Sequence, residues 1–218
     1  MSLRAAVFAS GRGTNFEVLA DGGAGSRSWE VVLLVTDRAQ ARAVERAKVR
    51  GIPSAVIPPD DDPGTFATRL LSRLTDESVD FVLLAGYLRM VPVEVVKAFR
   101  NRMLNIHPAL LPGFGGKGMY GARVHEAVLE SRTCVSGATV HFADEEYDRG
   151  AILAQWPVPV LPDDTPETLA SRVQEVEHLL YPAAVDALVR ALEEGSAADS
   201  IPGRGRHFVL SSELPRFP

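Results

Sequence analysis

The chain has 218 residues, of which 46% are hydrophobic and 23% charged, with a formal net charge of −5; these are ordinary globular proportions and exclude a disordered or fibrous protein. That length is enough for one α/β core that needs no disulfide or metal staple. Lys and Arg are scattered along the chain, which argues against a face that holds nucleic acid by phosphate neutralisation, and no apolar run approaches the roughly 18 residues of a membrane helix.

Met1-Ser2-Leu3-Arg4 leads straight into a strand pattern, with no long apolar signal segment, so a cytoplasmic protein is expected. Strand-length apolar runs at Ala5–Ser10, Glu30–Thr36, Ser54–Pro58 and Asp80–Ala85 alternate with helical patterns over 14–21, 39–50, 65–77 and 92–100. The strand runs are nearly continuous rather than alternating, which suits a parallel sheet covered on both faces. The fold class is therefore α/β, with a Rossmann-like N-terminal half.

A fifth strand over Arg102–His107 gives way to a Gly/Pro-rich stretch from Pro108 to Gly121, the kind of long loop a compact domain keeps mainly for function. Val135–Phe142 and Ile152–Val160 read as a hairpin joined by the acidic turn Ala143–Gly150, so the second half is mixed. Thr165-Pro166-Glu167 supplies an N-cap hydroxyl, a first-position Pro and an early acid for a helix running towards Gly195, bent at Pro182. The reading is one domain over 1–195, with a phosphate-binding half over 1–100, a catalytic half over 101–195 and a C-terminal tail over 196–218.

Ser10-Gly11-Arg12-Gly13-Thr14-Asn15 follows a strand and opens a helix, where free backbone N–H groups and the helix dipole favour a phosphate. A tight turn that simply needs glycine is the alternative. Phe16 stands where a dinucleotide fingerprint would have its third glycine, which weakens a dinucleotide oxidoreductase with Asp37 as its ribose acid.

Asn105 and His107 lie two apart at a strand end and project to one face. An imidazole that carries protons near neutral pH and an amide N–H that stabilises an oxyanion suit acyl transfer to an amine. A purely structural His-Pro strand end is the alternative. The acidic turn reads by composition as a solvated loop, His141 as a satisfied sheet histidine, and Glu177 as a carboxylate on a partly apolar helix face that needs either a ligand hydroxyl or a surface cation. Cys134 reads as a small buried thiol, with no neighbouring Cys or His set at metal spacing.

Taken together, Ser10–Asn15, Leu84-Ala85-Gly86-Tyr87-Leu88-Arg89, Leu104–Pro112, Ser136–Phe142, Tyr147-Asp148-Arg149-Gly150 and Gln174-Glu175-Val176-Glu177-His178 closely resemble the folate-dependent formyltransferases of purine synthesis, in family order over about 4–185. The resemblance implies the formyltransferase fold and transfer of a formyl group from 10-formyltetrahydrofolate to glycinamide ribonucleotide, without a metal or covalent intermediate. It implies Asn105, His107 and Asp148 as catalytic residues. Gly11, Arg12, Gly13, Thr14 and Asn15 would hold the acceptor phosphate and Glu177 its ribose. Leu88, Arg89, Met90, Val91, Asn105 and the turn residues Ala143, Asp144, Glu145 and Glu146 would form the folate site. The implied partners are these two small molecules, with no nucleic acid or membrane, and a homodimer is left open.

Two departures stand out. Relatives often carry an arginine just before the helix near Phe66, where this chain has Asp60-Asp61-Asp62-Pro63-Gly64-Thr65, and Arg149 replaces a residue that is often small. Methionyl-tRNA formyltransferases and formyltetrahydrofolate deformylases carry an additional domain for which this sequence shows no counterpart. A Rossmann-like binding module without catalysis is the alternative from a different class, set against the presence of Asn105, His107 and Asp148.

Overall fold

The computed structural model describes residues 2–26, 28–60 and 62–195; the tail expected over 196–218 lies outside them. Seven strands form one sheet in the order β3-β2-β1-β4-β5-β6-β7. Strands β1 (Leu3–Phe8), β2 (Trp29–Thr36), β3 (Ser54–Val56), β4 (Phe81–Leu84) and β5 (Met103–His107) pair in parallel. Strands β6 (Val135–Phe142) and β7 (Ile152–Pro159) continue the sheet antiparallel, as the hairpin pattern predicts.

The near-continuous apolar runs are explained by burial on both faces. Ala5, Val7 and Ala9 pack with Phe16 and Leu19 of α1 (Thr14–Ser26), Ala43 and Ala47 of α2 (Arg42–Val49), and Leu180 and Tyr181 of α6 (Pro166–Glu193). The alternate residues Ala6 and Phe8 pack on the opposite face with Phe66 and Leu70 of α3 (Pro63–Asp76) and Val95 and Val96 of α4 (Val93–Ala98). Side chains alternate across a strand, so one segment feeds both layers.

Helix α5 (Ala122–Glu130) has no counterpart in the sequence reading. It follows the glycine-rich loop directly, starts from Gly121 at φ 58° and has no side-chain cap, so the usual N-terminal signal is missing. Helix α6 carries its full signal: Thr165 accepts from the Thr168 N–H, the Thr168 hydroxyl accepts from the Thr165 N–H, and Pro166 opens the helix. It continues through Pro182 over 28 residues.

Cys134 is exposed, which corrects the expectation of a buried thiol; it lies in the connection between α5 and β6, before the strand enters the sheet. Among the described residues no helix is long and apolar enough to cross a membrane.

Candidate active site

The parallel strands point their carboxyl ends to one edge, where the order reverses between β1 and β4, the usual crevice of an open α/β sheet. A single cleft of about 700 Å³ lies there and is lined by Gly11–Asn15, Leu88–Val91, Asn105, His107, Asp148 and Glu177, among others. One cavity thus gathers the glycine loop, the β5 strand end and the acidic turn, which are far apart in the chain.

Asn105 and His107 do share a face, and both line the cleft. His107 is buried and its Nε2–H donates to the Phe114 carbonyl at 2.9 Å, while Nδ1 stands 3.6 Å from Asp148 Oδ2. Burial pushes the imidazole down; Asp148 and the Phe114 carbonyl pull it up, and the balance leaves it below the ordinary histidine value. Asp148 does raise the proton affinity of His107, but desolvation outweighs it.

Asp148 takes φ 55°, the left-handed region that Asp and Asn tolerate better than most side chains. That conformation turns its carboxylate inward from an otherwise exposed turn. Oδ2 accepts the Gly116 N–H at 2.9 Å, and Oδ1 lies 3.5 Å from both Asn105 Nδ2 and His141 Nε2. Burial pushes this carboxyl up, yet the hydrogen bond to His141, the His107 charge and the Gly116 N–H together hold it below the usual range. The Asp148 carboxylate is therefore ionised near neutral pH.

His141 is a member of this cluster. Its Nδ1–H donates to the Phe142 carbonyl at 2.9 Å, and Nε2 stands between Asn105 Nδ2 at 2.9 Å and Asp148 Oδ1 at 3.5 Å. The Asn105 amide nitrogen is thus directed into the cluster. The sheet histidine is satisfied, as composition suggests, but its partners are the candidate catalytic residues. His125, on the unforeseen α5, also lines the cleft; it is buried, its Nδ1 has no partner, and burial with the nearby His107 charge pushes it down to about 4. Neither role was readable from local pattern.

At the glycine loop, Thr14 Oγ1 accepts from Gln174 Nε2 at 2.6 Å and Asn15 Nδ2 donates to Glu177 Oε2 at 2.9 Å. These contacts tie the start of α1 to α6. Glu177 is buried against Asn15 instead of pairing with a surface cation, and burial pushes its carboxyl up to about 7, against the lowering effects of Asn15 and Arg12. Tyr181, one turn further along α6, donates its hydroxyl to the Leu84 and Leu104 carbonyls at 3.1 and 3.0 Å and so fixes the β4 and β5 ends that carry the site.

Not every expected residue reaches the cleft. Ala143, Asp144 and Glu146 line it, but Glu145 and Arg149 are exposed and outside its wall. The described residues of the acidic run before Phe66 also stay outside: Asp62 caps α3 by accepting the Gly64 and Thr65 N–H groups, and Asp60 pairs with Arg69 at 3.6 Å. Asp37, the ribose acid of the dinucleotide alternative, is buried with Arg89 Nε at 3.1 Å and Arg38 Nε at 3.4 Å and does not line the cleft. Among the described residues no three His, Cys, Asp or Glu side chains are grouped to hold a metal ion.

The model of a family described as formyl transferase matches residues 3–185. The chain belongs to the formyl transferase family. Within it, the chain is 34% identical over 197 residues to the phosphoribosylglycinamide formyltransferase of Bacillus subtilis, covering 88% of this chain and 98% of the relative. It is 52% identical over 187 residues to the chloroplastic enzyme of that name from Arabidopsis thaliana, covering 84% of this chain and 64% of the relative. The chain thus spans under two thirds of that relative, and 60% of a similar one from Vigna unguiculata. The solved structure of glycinamide ribonucleotide transformylase 1 from Symbiobacterium toebii superposes with a TM-score of 0.80 at 38% identity, covering 89% of each chain. The formyltransferase fold expected from the motifs is thereby shown.

Proposed function

We propose that this chain transfers the formyl group of 10-formyltetrahydrofolate to the amine of glycinamide ribonucleotide, giving the N-formyl product and tetrahydrofolate, as a step of purine synthesis. The carrying observation is that one cleft joins a glycine loop suited to a phosphate with the Asn105, His107 and Asp148 cluster suited to acyl transfer. The names of the relatives support formyl transfer to phosphoribosylglycinamide, the folate donor rests on the resemblance of the motifs, and the cleft lining suits both.

On this reading the 1–100 half places the acceptor's phosphate and α6 its ribose. The phosphate lies on the backbone of Gly11, Arg12 and Gly13 and at the N-terminus of α1, and the ribose hydroxyls meet Glu177. The folate lies along Leu88–Val91 and the 143–146 turn. The acceptor amine attacks the formyl carbon, forming the new C–N bond and leaving a tetrahedral oxyanion.

Protonated His107 donates to that oxyanion, which takes the place of the Phe114 carbonyl as acceptor of Nε2–H. Asn105 adds a second polar group beside it, and Asp148 keeps the imidazole oriented and favours its charged form against the opposing effect of burial. Collapse breaks the bond to N10, and the proton lost by the attacking amine ends on N10 of tetrahydrofolate. Because both substrates are held in one cleft, much of the acceleration comes from orientation. Every species involved is small and water-soluble, in keeping with a cytoplasmic enzyme.

The test is the spectroscopic rate of tetrahydrofolate formation from 10-formyltetrahydrofolate with and without glycinamide ribonucleotide. Turnover only with the acceptor is expected. Turnover without it makes the chain a deformylase, and no turnover in either case overturns the reading.

A further inference from the structure

The phosphate loop is held from behind by a second helix. In a trans peptide the C=O and the next N–H point in opposite directions, so holding a carbonyl aims the N–H of the following residue. Two consecutive loop carbonyls are held from α2: the Ala43 N–H donates to the Gly11 carbonyl at 3.2 Å, and Arg46 Nε donates to the Arg12 carbonyl at 2.9 Å. The N–H groups of the same two peptide units belong to Arg12 and Gly13. They face away from α2, and among the described residues neither has an acceptor.

Arg46 is itself fixed. Its Nη1 pairs with Glu17 Oε2 on α1, and the Glu17 N–H donates to the Gly13 carbonyl at 3.0 Å. Glu17 Oε1 also takes Arg50 Nη2 at 2.8 Å, and Arg50 in turn grips both oxygens of Asp21 at 2.8 and 2.9 Å. Arg46 does not line the cleft. A planar guanidinium can serve the Glu17 carboxylate and the Arg12 carbonyl at once, which an ammonium group does poorly.

We propose that Arg46 is a positioning residue for the acceptor phosphate: by holding the Arg12 carbonyl from behind, it aims the Gly13 N–H, and with Ala43 the Arg12 N–H, at the phosphate. The inference rests on the reading of the loop as the phosphate site. Arg46 touches no substrate, and its effect is confined to the phosphorylated half of the reaction.

Steady-state kinetics on four variants of the full chain test it. Arg46→Met should raise KM for glycinamide ribonucleotide about tenfold, as expected for a lost charge-assisted hydrogen bond, while kcat and the KM for the formyl donor change less than about twofold. Arg50→Met removes ion pairs from the same α1–α2 ladder without touching the loop, so it should lower the melting temperature as Arg46→Met does yet leave acceptor KM near the parent value. Equal KM effects from both would reduce Arg46 to a stabilising residue and overturn the proposal. Arg46→Lys keeps the charge without the fork and should recover only part of the loss; full recovery would mean that charge alone matters. Thr14→Asp separates the underlying reading, since a carboxylate at the loop should repel the phosphate. If it leaves acceptor KM unchanged, the phosphate lies elsewhere and both ideas fall; if it raises KM while Arg46→Met does not, only the role of Arg46 fails.

Discussion

His107 Nδ1 and Asp148 Oδ2 are 3.6 Å apart, although the residues are separated by a loop, a helix and most of a hairpin. The imidazole is buried, which favours its neutral form, and the carboxylate is ionised, which favours its charged form. A histidine so balanced can be charged by a modest change of surroundings, such as an oxyanion forming beside it. The pair is accordingly the part of the cleft most sensitive to a change of charge without a change of shape.

Asp148→Asn makes that change. Asn fits the left-handed backbone at φ 55° and can still accept the Gly116 N–H, but it carries no charge. Turnover should fall by about 10²- to 10⁴-fold, the usual range for a lost acid–base component, with both KM values within a few-fold. Near-normal kcat would remove Asp148 from the mechanism.

The same variant should move the titration of His107. Burial already holds this imidazole below its ordinary value, and Asp148 is the largest influence raising it. With the charge removed, protonation should require a lower pH still. NMR titration of the His107 ring signals in the parent and in Asp148→Asn should show two midpoints below that of free histidine, the variant's lower. A variant midpoint equal to or above the parent's would mean that Asp148 does not act on His107 by charge.

The core was legible because strands buried on both faces write their burial as continuous apolar runs, such as Val31–Val35 and Phe81–Leu84. The α6 start was legible because Thr165 and Pro166 encode a cap locally. Asn105 and His107 were readable as a same-face pair because strand alternation is a local rule. Cross-chain partnerships leave no such trace: Asn15 meets Glu177 across 162 positions and Asn105 meets His141 across 36, so nothing near His141 marked it as part of the site. Helix α5 and its His125 were missed because the helix starts from a glycine with no cap. Cys134 was misplaced because composition reports how often cysteines are buried, not where a connection surfaces.

Glu177 gives a stability prediction of definite sign. Its carboxyl is raised from 4.5 to about 7 in the fold. Between those values the folded chain holds a proton that the unfolded chain has released, so this group's stabilising contribution is full below about 4.5 and is lost as pH rises through about 7. The loss is on the order of 3 kcal/mol for a shift of this size. Glu177→Gln can still accept from Asn15 and does not titrate, so without ligands it should gain stability relative to the parent between pH 5 and pH 8, approximately. Denaturant unfolding at both ends of that range tests it, and a constant difference would show that Glu177 titrates normally. Acceptor KM should rise in the same variant if the carboxylate binds the ribose.

Gly13 is the point where the loop and α2 come closest. It adopts φ 73°, and a Cβ built there would lie 2.7 Å from both Cα and Cβ of Ala43. Gly13→Ala should therefore combine backbone strain with an overpacked contact and cost about 1–3 kcal/mol. Ala43→Gly in the same chain should return only part of that loss, because the Ala43 Cα, which remains, is as close as its Cβ. Gly11→Ala provides the contrast in stability alone, since nothing lies within 4 Å of a Cβ built there. Thermal unfolding should rank Gly11→Ala nearest the parent, the Gly13→Ala, Ala43→Gly pair lower and Gly13→Ala lowest. Complete recovery in the pair would mean that only the Cβ contact matters and that the loop backbone can draw back from α2.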